Sequence, residues 1–107
     1  MTNDEIIKEI VERLKKVPEV KKIIVFGSRA RGNYSEESDI DLLVIGDFEG
    51  RIIDRQVKLK LLLWDAPLDV GIDVFPLREN EIDVLLKKGS FFWKEAMNTG
   101  RVVYERI

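Results

Sequence analysis

Gly27-Ser28 and Asp39-Ile40-Asp41 are the residues of this chain best placed to do chemistry, and ten residues separate the two groups. The stretch reads IIVFGSRARGNYSEESDIDLLVI. A hydrophobic run, Ile23 to Phe26, ends on Gly27-Ser28, and a second run, Leu42 to Ile45, begins directly after the two carboxylates. A strand repeats its side-chain direction every second residue, so Asp39 and Asp41 point to the same face. Two carboxylates at the mouth of a buried strand repel each other, and a divalent cation between them relieves that repulsion. A Gly-Ser turn at a strand end offers free backbone N–H groups and a hydroxyl, the donors that hold phosphate oxygens. Metal plus phosphate points to phosphoryl or nucleotidyl transfer. An isolated D-x-D is more often a solvated strand entrance, because Ser-Asp pairs commonly cap turns. Its coupling to Gly27-Ser28 reverses that preference.

The flanking sequence supplies the elements that must position these groups. Thr2 to Glu5 fits a capping box, and Ile6, Ile7, Ile10, Val11 and Leu14 recur at helical spacing, which predicts a helix over about 3–16. Val17-Pro18 ends it. Lys22 to Phe26 is apolar on both faces, as a central strand is. Ser28 to Arg31 predicts a short helical turn closed by Gly32-Asn33, and Asp39 to Ile45 a second strand. Ile53, Val57, Leu61 and Leu62 give a helix over about 51–64. Leu68 to Phe75 reads as a third strand stopped by Pro76, with Asp69, Gly71, Asp73 and Phe75 on one face. Ile82, Leu85 and Leu86 predict an inward stripe on a helix over about 79–88, and Ser90 starts a further helix to Asn98. Val102 to Glu105 is a short final strand or extended tail. The expected fold class is α+β: a small mixed β-sheet with helices packed mainly on one face and the other face partly open.

The chain has 107 residues and a net charge of −2. That length suits one domain spanning 1–107. No global basic field draws it to nucleic acid. It contains no Cys and no His, which excludes disulfides, thiolate zinc sites, Cys nucleophiles and imidazole ligands. A metal here must be held by oxygen, which favours Mg²⁺, Mn²⁺ or Ca²⁺. No apolar run approaches membrane-spanning length, so a cytoplasmic location is expected.

The pattern G-S, ten residues, D-x-D resembles the signature of the DNA polymerase β-like nucleotidyltransferase superfamily. GSRARG followed by SDIDLLV is similar to its minimal nucleotidyltransferase (MNT) branch, whose members often stand beside HEPN-domain proteins as antitoxin to toxin. The resemblance implies a nucleotidyltransferase using Mg²⁺, as two ions with Mn²⁺ as a substitute, and a nucleoside triphosphate, ATP, as donor. Asp39 and Asp41 would hold the ions. Gly27, Ser28 and at least one of Arg29 and Arg31 would face the triphosphate. A third carboxylate would complete the site, and Asp69 and Asp73 are its candidates. In the family the third acid precedes an apolar pair, which Asp73-Val74-Phe75 fits better than Asp69-Val70-Gly71. The acceptor implied is a hydroxyl on a HEPN toxin. A small-molecule or RNA acceptor, or a binding antitoxin without catalysis, are the alternatives, and a homo-oligomer is compatible with either. Phe91, Phe92 and Trp93 are adjacent, so one helix cannot bury all three. They are candidates for a partner surface, which Trp64 could extend.

Overall fold

A computed structural model describes residues 1–107. Nine elements follow in order: α1 (Asn3–Leu14), β1 (Val20–Phe26), α2 (Ser28–Arg31), β2 (Ile40–Gly46), α3 (Ile52–Leu63), β3 (Ile72–Leu77), α4 (Glu79–Lys87), α5 (Phe91–Thr99) and β4 (Arg101–Glu105). The four strands form one mixed sheet in the order β3-β2-β1-β4. β1 is antiparallel to both of its neighbours, whereas β2 and β3 run parallel. The parallel pair needs a crossover, and α3 is that crossover.

Local chemistry accounts for the first helix. Thr2 Oγ1 accepts from the Glu5 N–H at 3.1 Å, and Glu5 Oε1 accepts from the Thr2 N–H at 2.9 Å. Two N–H groups that the helix leaves free are thereby satisfied. Ile6, Ile7, Ile10 and Leu14 then form its buried stripe.

Strand alternation divides the interior into two layers. Ile23, Val25, Ile40, Leu42, Val44 and Val74 point to one face and meet α1 together with Leu59 and Leu63 of α3. Ile24, Phe26, Leu43, Ile45 and Leu77 point to the other, where Ile82 of α4 and Ala96 of α5 cover them. The second layer is the smaller of the two, and its helices leave large side chains in solvent. Burial of a side chain such as Leu42, which is fully enclosed, is worth about 1.5–3 kcal/mol.

Long-range packing corrects two expectations, on β3 and α4, and decides which side of α3 faces inward. The third strand covers Ile72–Leu77 and runs through Pro76 instead of stopping there. β3 is an edge strand, where a missing N–H on the open side forfeits no ladder bond. On α3 the buried positions are Arg55, Leu59 and Leu63, so the stripe Ile53, Val57 and Leu61 faces outward. Arg55 takes the inward position because its guanidinium bonds Glu81 Oε1 at 2.7 Å and the carbonyls of Gly50 and Pro76 at 2.8 and 3.2 Å. Leu86 of α4 is exposed, leaving Ile82 and Leu85 as the inward residues.

Candidate active site

Strand pairing brings the acidic residues together. Phe26 is in register with Asp41 across the antiparallel pair, and Asp41 with Asp73 across the parallel pair. Asp41, Asp73, Phe26 and Phe75 therefore project from the face that α5 covers. Asp39 follows the same two-residue period, just ahead of β2. Asp41 is half-buried, and Asp39 and Asp73 are exposed. Burial first, then the charges of Asp73 and Asp39, push the Asp41 carboxyl above the usual carboxylate range, with Arg31 opposing.

Two glycines make room for these carboxylates. Gly27 has φ +75°, and a Cβ on it would collide with Asp41 Oδ2. A Cβ on Gly71 would collide with Asp39 Oδ1. Gly27 also N-caps α2, so the first N–H groups of that helix, at Ser28 and Arg29, lack a carbonyl within it. Ser28 stands next to them, half-buried.

The structure separates the two arginines. Arg29 is buried and ties down the loop that delivers Asp39. Its Nε and Nη2 donate to the Ser38 carbonyl at 3.1 and 2.8 Å, and Nη2 also donates to the Glu36 carbonyl at 3.3 Å. The guanidinium also lies 4.5 Å from the centre of the Tyr34 ring. Hydrogen bonds from a charged donor contribute about 1.5–3 kcal/mol each, so Arg29 is a positioning residue for the loop. Arg31 is exposed and lines a cavity of about 480 Å³ with Gly27, Ser28, Asp41, Phe91 and Phe92.

Asp69 and Asp73 part in the same way. Asp69 lies ahead of β3 and lines a separate cavity with Arg29 and Glu36, of about 280 Å³. Asp73 is the one beside Asp41. Glu95 and Thr99 complete the wall of the larger cavity, and neither stood out in the sequence, because helical spacing alone does not reveal which turn of α5 meets β1. Trp93 is half-buried against Phe26 and Phe75, with ring centres 5.8 and 5.4 Å apart, whereas Phe91 and Phe92 are exposed. Trp64 does not join them, because α3 packs on the opposite face of the sheet.

The donor set suits a divalent cation, being carboxylate oxygen with a mutual repulsion that a cation relieves. The three side chains do not close into a three-carboxylate cage. Asp41 and Asp73 form the near pair, and Asp39 packs against Gly71.

A sheet with a Gly-Ser turn facing paired carboxylates is the arrangement of a nucleotidyltransferase. The family profile described as "Polymerase beta, Nucleotidyltransferase" matches residues 8–107. The chain belongs to that family. A Methanocaldococcus jannaschii protein, provisionally named a protein adenylyltransferase, is 39% identical over 97% of this chain and all of its own length. A Sulfolobus solfataricus crystal structure described as a nucleotidyltransferase superposes with a TM-score of 0.65 at 27% identity, over 95% of this chain and 79% of that one. A toxin–antitoxin crystal structure with AMP-PNP gives 0.62 at 22%, over 99% and 75%. The complex of a tri-AMPylated Shewanella oneidensis HEPN toxin with its MNT antitoxin gives 0.54 at 20%, over 97% and 70%. The last two share the fold. No helix of the chain is long and apolar enough to cross a membrane.

Proposed function

We propose that this chain transfers AMP from ATP to a hydroxyl on a HEPN-domain toxin and so acts as its antitoxin. The observation that carries the proposal is the register placing Asp41 beside Asp73, next to the Gly27-Ser28 turn. Ser28 and the free N–H groups after Gly27 hold the β- and γ-phosphates, and Arg31 adds a positive charge on the same wall. The acceptor oxygen bonds to the α-phosphorus, the bond from that phosphorus to the bridging oxygen breaks, and pyrophosphate leaves. Asp73 takes the acceptor proton. Asp39, Asp41 and Asp73 would hold Mg²⁺, which supplies charge neutralisation to the triphosphate.

α4 and α5 cover only part of the second face and leave Asp39 and Asp73 exposed at its edge, where a protein acceptor can reach them. Phe91 and Phe92, 75% and 53% exposed, line the same cavity as Ser28 and Asp41 and serve as its docking edge. The AMPylated HEPN toxin bound to a protein of this fold supports the choice of partner.

Calorimetric titration with ATP tests the nucleotide half of this reading. Binding is expected for the wild type with Mg²⁺, and an at least tenfold loss with chelator or in the Asp39→Asn/Asp41→Asn double variant. Equal affinity in all these conditions would sink the metal-assisted site.

A further inference from the structure

The second apolar stripe of α3 has no counterpart within the chain. Ile53, Val57, Leu61 and Trp64 are 56, 52, 65 and 86% exposed. They are spaced at i, i+4, i+8 and i+11, so they form one ridge along the whole helix. A continuous apolar ridge of this kind marks an interaction surface, whereas isolated exposed apolar residues do not. It lies on the sheet face opposite Asp41, Asp73 and Phe92, apart from the cavity that serves catalysis.

Charge decides what covers it. Asp54 and Lys58 lie four residues apart on one flank of the ridge, and Lys60 and Gln56 lie on the other flank. We propose that the ridge binds a second copy of this chain, with the two α3 helices packed antiparallel about a two-fold axis through Val57. That axis sets Val57 against its own copy and brings Ile53 of each chain near Leu61 of the other. It also sets Asp54 of each chain alongside Lys58 of the other, which gives two ion pairs. A parallel two-fold would instead set this flank against the Gln56/Lys60 flank of the other chain, which brings Lys58 beside Lys60 and gives Asp54 no ion pair. Trp64 reaches the level of the second copy's Gly50, where a Cβ would meet nothing within 4 Å. Asp54 and Lys58 are now held only by exposed pairs, to Arg51 at 3.2 Å and Glu19 at 3.4 Å. Exposed pairs contribute about 0–1 kcal/mol, so exchanging them across the axis costs little. Two single helices make a small interface, so the dimer is weak and concentration-dependent. Both catalytic faces stay free.

Sedimentation equilibrium on the full chain tests this. The wild type should move from monomer to dimer across a concentration series. Val57→Glu should stay monomeric with its ATP affinity and melting temperature unchanged. Asp54→Lys should weaken the dimer at least threefold, and Asp54→Lys/Lys58→Asp should restore it. The chain has no cysteine, and the axis places residue 57 against itself. Oxidised Val57→Cys should therefore cross-link to a covalent dimer far faster than Asp83→Cys on α4. A wild type that remains monomeric at every concentration overturns the proposal. So does a Val57→Cys that cross-links no faster than Asp83→Cys. Loss of HEPN-partner binding in Val57→Glu, with a monomeric wild type, would assign the ridge to that partner instead.

Discussion

Asp73→Asn is expected to lower AMP transfer by about 10³-fold or more while leaving the fold intact. The residue is exposed on an edge strand, so an isosteric amide disturbs no core packing. Its charge is one of those that push the Asp41 carboxyl up. A carboxyl whose folded-state pKa is raised costs stability once the pH passes its unfolded value, and the cost disappears in acid. Removing the Asp73 charge therefore leaves the metal-free protein as stable as wild type at neutral pH, or slightly more so. Asp69→Asn should keep transfer within a few-fold of wild type, because Asp69 lines a different cavity. A radiolabelled-AMP assay on both variants, with thermal melts alongside, separates the two acids. A dead Asp69→Asn with an active Asp73→Asn would reassign the third acid.

The second large effect is expected at Gly27. Its φ of +75° and ψ of −159° lie in a region that essentially only glycine enters. Gly27→Ala must also move Asp41, whose Oδ2 occupies the place the new methyl would take. The substitution should cost about 1–3 kcal/mol in stability and, by displacing Asp41, roughly 10²-fold or more in transfer. Gly50→Ala is the control. Gly50 also has positive φ, +78°, but has nothing within 4 Å of the new methyl and lies just ahead of α3, the helix on the opposite face of the sheet. It should cost about 1 kcal/mol and leave transfer unchanged. If both variants keep full activity, Gly27 is only a turn residue.

The site was legible where its information is local. Glycine after an apolar run and carboxylates one residue apart need only strand periodicity to be placed, and the sheet puts both on one face. Asp73 was distinguishable from Asp69 only by resemblance, because both lie on the same side of an alternating run. Register with Asp41, a contact over some thirty residues of chain, separates them. The two arginines were equivalent in the sequence for the same reason. The Ser38 carbonyl that claims Arg29 belongs to an irregular loop with no pattern to read. On α3 both stripes have helical period, and the inward one was settled by Glu81, 26 residues away, bonding Arg55. Pro76 would end a central strand, and only the strand order shows that β3 is an edge.

The most direct measurement of the central claim is the fate of the two ends of ATP. The chain is incubated with a HEPN partner and Mg²⁺, using ATP labelled at either the α- or the γ-phosphorus, and the partner is then weighed by mass spectrometry. The α-label should enter the partner, the γ-label should leave as pyrophosphate, and the partner should gain one or more AMP masses, none of them with Asp73→Asn. Incorporation of γ-label would contradict nucleotidyl transfer. Label on RNA or a small alcohol would contradict the protein acceptor, and an unmodified partner silenced within a tight complex would show that the antitoxin works by contact alone.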